Sequence, residues 1–364
     1  MRVQLISRKP LIFLIDFSNF DAEKLGTMED NLLDGFSAAD QIAHEFMSIR
    51  PSSPLIRINA YSGWSGACLW RFEAQSEQWV LRAWPSTVQR QQLQWIHNRL
   101  LHAQRSRLSF VPQLWIRHDG QTTLKYDNRL WDVSKWLPGA PVQSNSVENA
   151  HLTAAMMGLA QLHQTWADSA ETIHPLPCIH KRWQQLNHFD EQWILSLLHQ
   201  KKLSRNRTSW VQRAFQLITK WRGYALRTLW PWLDKPLTVQ TVHGDLWSEH
   251  LLFLHQHLTG IVDYGSCRMD HPAVDLARLL GSWLPMQRPM WSVALAIYQS
   301  VRRLPEETWS LLGLLEWTGR LVGVAQWLDR LLINAGAYPA ISRPLQQLAW
   351  IRLQNLITEW ADPQ

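Results

Sequence analysis

Residues 242 to 265 read VHGDLWSEHLLFLHQHLTGIVDYG. An apolar run from Thr238 to Val242 leads into His243-Gly244-Asp245, and a second strand-like segment, His250 to Val262, leads into Asp263, 18 positions after Asp245. Each run has the β-branched and apolar character of a strand, so one Asp falls in a turn after a strand and the other at the end of the next. Two carboxylates placed in this way can share one site.

That pairing suits phosphoryl transfer, in which one carboxylate accepts or orients the proton of an attacking hydroxyl and another holds the Mg²⁺ that bridges the nucleotide phosphates. A catalytic loop of this kind has an Asp, four intervening residues, a metal-binding Asn and later an Asp-Phe-Gly. Asp245 keeps that spacing, His250 stands at the Asn position, and Asp263-Tyr264-Gly265 stands for the last element.

Downstream, His271-Pro272-Ala273-Val274-Asp275-Leu276-Ala277 completes three linked elements in order. Together they resemble the run shared by aminoglycoside phosphotransferases, choline kinases and related small-molecule kinases. A weaker similarity covers about residues 55 to 360 and includes Leu159-Ala160-Gln161-Leu162-His163, which resembles the helix entering that family's larger lobe. The resemblance implies an α+β, bilobal, protein-kinase-like fold, with a small antiparallel-sheet N-lobe and a large, mainly helical C-lobe. It also implies Asp245 as catalytic base, Asp263 as metal ligand, and Asp275 bracing the catalytic loop from a helix start. His243 is then a buried, hydrogen-bonded loop residue. The implied ligands are ATP or another nucleoside triphosphate, Mg²⁺, and a small-molecule acceptor with a hydroxyl group.

Imidazole is a poor ligand for a hard ion, so His250 has three readings. It coordinates a softer ion such as Mn²⁺, it leaves one metal position empty while Asp263 holds the other, or it hydrogen-bonds within the loop.

Upstream, residues 55 to 84 read as three strands of an antiparallel meander, and Val88 to His102 has a helical period. The first hairpin turn, Tyr61 to Gly66, contains Gly63, Ser65 and Gly66. Its backbone N–H groups either approach phosphate or close a plain turn. Arg82 stands where the resemblance leads one to expect Lys, keeping the charge in a bulkier fork. No Asp or Glu occurs from Ala83 to His118, so Gln91, Gln92 or Gln94 supplies a neutral partner at best. Ser134 to Gly139 resembles the family hinge; the backbone at Trp136 and Leu137 would meet the adenine edge, with the Trp136 ring turned to the core or to the base. These departures at Arg82, the missing acid and His250 support an alternative: a degenerate kinase-fold protein that binds nucleotide weakly or serves as an interaction module.

The chain of 364 residues, 46% hydrophobic, is long enough to bury a core in each of two lobes. The expected divisions are an N-terminal extension, partly peripheral, over 1–50, a nucleotide-binding N-lobe over 51–138, and a helical C-lobe over 139–364 with the catalytic loop and acceptor site. Most of the 23 Trp residues are expected to pack. A net charge of +6 suits a phosphate-rich partner, but it is scattered. Lys201, Lys202, Arg205 and Arg207 read as a solvated loop, and no nucleic-acid partner is expected. Three separated cysteines and the lack of any run long and apolar enough for a membrane span fit a cytoplasmic protein. Residues 270 to 364 hold eight acids and eight arginines, not the acid-rich lining that polycationic aminoglycosides require.

Overall fold

The computed structural model describes residues 30–48, 51–58, 66–173, 176–190, 192–193, 205–285, 287–332 and 343–360. The small lobe contains α1 (Asp30–Met47), β1 (Ile56–Arg57), β2 (Cys68–Ala74), β3 (Glu77–Ala83), α2 (Arg90–Arg105), β4 (Leu124–Tyr126) and β5 (Arg129–Lys135). Its strands form one antiparallel sheet in the order β1-β2-β3-β5-β4. Side chains alternate across such a sheet, so Trp70, Phe72 and Ala74 of β2 and Trp79, Leu81 and Ala83 of β3 all enter the core. Arg82, between two of these, faces the other way.

Helix α1 covers the buried face with Ala39, Ile42, Ala43, Phe46 and Met47. Within the expected N-terminal extension, α1 thus packs on the core of the small lobe. On the opposite face, Leu93 of α2 packs with Trp84 and Leu130.

The large lobe runs through α3 (Asn149–Thr165), β6 (Glu171–Ile173), α4 (Pro177–His188), α5 (Arg205–Leu229), β7 (Leu237–Val242), β8 (Leu251–Leu254), β9 (His257–Ile261), β10 (Arg268–Asp270), α6 (Ala273–Trp283), α7 (Arg288–Val301), α8 (Glu307–Leu332) and α9 (Arg343–Thr358). Strand β7 lies between β10 and β6, and β8 pairs with β9 in a separate hairpin. Leu311, Leu315, Leu321, Ala325 and Leu328 of α8 are all buried, and this helix packs against α4, α5, α6 and α9. On α9, Ala349 and Leu353 are buried and Leu356 packs at the core's edge, as does Trp360 just beyond the helix.

The lobes join after β5. Gly139 adopts φ +107°, and a Cβ there would stand 2.6 Å from the Phe253 carbonyl oxygen, so only glycine fits. Ala140 and Phe253 then exchange two backbone hydrogen bonds of 3.0 and 2.9 Å, which clamp the connector to the β8–β9 hairpin.

Arg205 and Arg207 lie in the first turn of α5 and not in a loop, with the Arg207 guanidinium 5.1 Å from the centre of the Trp350 ring. Lys201 and Lys202 are outside the described residues. Among the described residues, no helix is long and apolar enough to cross a membrane.

Candidate active site

Strand β7 ends at Val242, and the chain turns at once through Gly244, whose φ is +83°. A Cβ there would lie 2.3 Å from both the Ser266 carbonyl and the Arg268 guanidinium, so the turn requires glycine on two counts. The turn is held from below by Asp275, in the first turn of α6. Its Oδ2 accepts the His243 N–H at 2.7 Å and its Oδ1 accepts the Gly244 N–H at 2.8 Å. His163 Nε2–H donates to the same Oδ2 at 3.0 Å, while His163 Nδ1 accepts from the Tyr298 hydroxyl at 2.8 Å. Burial lowers the His163 pKa against the pull of Asp275, which matches this neutral arrangement. For Asp275, burial pushes upward, but the His163 hydrogen bond and charge, His243 and the Gly244 N–H outweigh it and hold the carboxyl below its ordinary value.

His243 is wholly buried, and its Nε2–H donates to Val262 O at 2.9 Å. It thereby joins the Asp245 loop to the residue just before Asp263. Burial lowers its pKa.

Asp245 Oδ1 accepts Trp247 Nε1–H at 2.9 Å and lies 3.4 Å from Arg278 Nε. Among the described residues no hydrogen bond engages Oδ2, and the side chain is 40% exposed. It faces a cavity of about 500 Å³ that is bounded by Trp247, Arg278 and Ser282 and by residues of α8 and α9.

Asp263 has the left-handed backbone φ 67°, ψ 58° and an exposed carboxylate. Arg82 Nη1 stands 3.7 Å from its Oδ1 and His250 Nε2 3.8 Å from its Oδ2. Partial burial raises its pKa, but Arg82, His250 and His243 and the Gly265 N–H bring it below the ordinary carboxylate value. His250 Nδ1–H donates to Asp245 O at 2.9 Å, so this one ring touches both acidic residues.

Arg82 finds its carboxylate in Asp263 and not on α2; Gln91, Gln92 and Gln94 are exposed. Its guanidinium stacks 4.8 Å from the Trp84 ring centre. Trp84 in turn donates to Asp132, which also accepts His97 Nε2–H at 3.2 Å from α2.

Leu137 places Cβ 3.2 Å from the Cβ position of Gly260, and its N–H has no partner among the described residues. The Trp136 ring, left open between core and base by the sequence, is half-buried, and the Arg71 guanidinium lies 5.1 Å from its centre. The Trp136 backbone N–H donates to Gln78 O at 2.8 Å and so serves the sheet. Gly66 has φ +72° with open space around it, whereas Gly63 and Ser65 fall outside the described residues. Cys267 is buried, which pushes its thiol pKa up.

The structure thus brings Asp245, His250, Asp263, His243, Asp275 and Arg82 together. The sequence reading missed Arg278, Trp247, and His163 as the partner of Asp275. Arg278 follows Asp275 by three residues, one helical turn, on an otherwise apolar helix, which is a usable signal.

A family model described as "Phosphotransferase enzyme family" matches residues 58–310. The homoserine kinase of Brucella melitensis biotype 1 is 25% identical over 293 residues, which cover 79% of this chain and 83% of that one. Among solved structures, spectinomycin phosphotransferase in complex with ADP and spectinomycin superposes with a TM-score of 0.65 at 10% identity, covering 89% of this chain and 96% of that one. Amicoumacin kinase in complex with AMP-PNP, Ca²⁺ and Ami gives 0.59 at 10% identity, covering 90% and 96%. These likenesses establish the bilobal kinase-like fold.

Proposed function

The chain belongs to the phosphotransferase enzyme family, and we propose that it transfers the terminal phosphoryl group of ATP to a hydroxyl of a small molecule. The carrying observation is Asp245: Trp247 and Arg278 engage one carboxylate oxygen, the other has no hydrogen-bond partner among the described residues, and the residue lines the cavity. An acceptor hydroxyl in that cavity gives its proton to Asp245 as its oxygen bonds to the γ-phosphorus and the bond from that phosphorus to the ADP oxygen breaks. Asp275 and His243 act as positioning residues that hold the loop.

The donor set fits one hard divalent cation. Asp263 offers an exposed, ionised oxygen pair, whereas His250 offers imidazole and is already engaged with the Asp245 carbonyl. A cation bound at Asp263 would offset charge on the phosphates. Mg²⁺ is the natural choice for that ligand. Arg82, which is always charged, lies beside Asp263 to meet a phosphate oxygen, and the Leu137 N–H, without a partner among the described residues, suits the adenine edge.

ADP release by the purified full-length chain, with ATP, Mg²⁺ and a panel of hydroxylated compounds, tests this reading. Homoserine enters the panel because a curated relative carries that substrate in its name. Acceptor-dependent ADP formation that is lost in Asp245→Asn is expected. ATP binding without turnover on any acceptor would favour the degenerate module instead.

A further inference from the structure

The cavity beside Asp245 carries more positive charge than its own acids neutralise. Glu249 is paired with Arg352 at 3.1 Å, Glu359 lies 3.9 Å from Arg320, and Glu316 pairs with Arg320 and, at 2.7 Å, with Arg288. Three more guanidiniums, Arg182, Arg278 and Arg330, line the same cavity. Arg182 Nη1 donates to the Leu315 carbonyl and, at 2.8 Å, to the Thr318 hydroxyl, both uncharged acceptors. No carboxylate forms an ion pair with it among the described residues. Burial brings its pKa down to about 10, and the charges of Arg278 and Arg268 act the same way. Arg278 Nε lies 3.4 Å from Asp245 Oδ1, and no hydrogen bond engages its Nη atoms among the described residues. Its guanidinium carbon lies 4.6 Å from the Trp247 ring centre, a cation–π contact that limits the fork's freedom.

A guanidinium withdrawn from water without a counter-charge is costly, and the cost falls when a ligand brings the anion. The planar fork matches a carboxylate or a phosphate through two parallel hydrogen bonds. We propose that the acceptor is a compact hydroxylated anion, its carboxylate or phosphate bound by Arg278 and Arg182 while its hydroxyl faces the open oxygen of Asp245. The acceptor class rests on the reading of Asp245 given above. A polycation is disfavoured by the same wall, because it would add like charge beside Arg182, which has no ion-paired carboxylate among the described residues, and beside Arg278, whose one acidic partner is Asp245.

Equilibrium binding without nucleotide separates this proposal from the phosphoryl-transfer reading, which is followed in parallel through ATP affinity and ADP release. Calorimetry is applied to the full-length chain. The probes are glycerate (carboxylate), glycerol 3-phosphate (phosphate), glycerol (uncharged) and choline (cation). At least one anion is expected to bind about 10-fold or more tightly than glycerol and choline, and the tighter of the two anions identifies the group. Arg278→Gln is expected to remove that preference, a loss of about 10- to 100-fold. Arg278→Lys should recover part of it, and ATP affinity should stay unchanged in both variants. Equal binding of glycerol and the anions, tighter binding of choline, no anion binding up to roughly 10 mM, or an undiminished preference in Arg278→Gln would each overturn the proposal. Failure of ADP release with anion binding intact would count against the phosphoryl-transfer reading alone.

Discussion

Asp275 Oδ2 lies 3.0 Å from His163 Nε2, and both side chains are wholly buried. The same carboxylate receives the N–H groups of His243 and Gly244, so one ion on α6 ties α3 to the loop that carries Asp245. Asp275→Asn keeps the shape but turns an NH₂ toward one of these donors. Disrupting a buried, charge-assisted network of this kind costs about 3 kcal/mol. Urea unfolding should show that loss together with a large fall in turnover. A variant of wild-type stability would remove Asp275 as the brace.

His271 gives a pH signature. Burial, with Arg302 and His163 acting the same way, brings its pKa from 6.5 to about 4, and its Nδ1 accepts the Ala273 N–H at 3.1 Å. The unfolded chain therefore binds a proton that the folded chain refuses between these values. The associated stability is complete above pH 6.5 and is lost as pH falls toward 4, on the order of 3 kcal/mol in all. His271→Asn retains an acceptor without the titration, so its stability should fall less steeply than wild type over that window. Parallel denaturation profiles at several pH values would contradict this.

Arg82 stands 3.7 Å from Asp263, and no acid of α2 reaches it. Arg82→Ala should weaken ATP by about 10-fold or more, the scale of a hydrogen bond to a charged group, and adenosine much less. Isothermal titration with both ligands measures the difference. Equal losses would assign Arg82 to packing on Trp84 instead.

His250 bridges the Asp245 carbonyl and the Asp263 carboxylate at 2.9 and 3.8 Å. If one cation on Asp263 suffices, His250→Asn should preserve or raise turnover supported by Mg²⁺, since the amide can still donate to the carbonyl and adds a hard oxygen. Metal titrations of nucleotide affinity check this. A strict Mn²⁺ requirement that disappears in the Asn variant would place the imidazole on the metal.

The strand–turn–strand character of residues 238 to 265 and the Asp245-to-Asp263 spacing were legible because they are local in the chain. So was the Asp at the start of α6, which follows a proline. The pairing of Arg278 with Asp245 was not legible, since the two are 33 residues apart and meet only when α6 docks under the loop. The same holds for Arg82, whose partner lies in the other lobe. Strand β6 has three residues and is set by pairing with β7, so it left no period to read.

The most direct test is Asp245→Asn, measured for ADP release at saturating ATP and acceptor, with thermal melting and ATP affinity followed on the same sample. Trp247 Nε1 can still donate to the Asn oxygen, so the fold and nucleotide binding should persist while turnover falls about 10²- to 10⁴-fold, the usual scale for a lost acid–base group. Turnover equal to wild type in a folded, nucleotide-binding Asn variant would contradict the account.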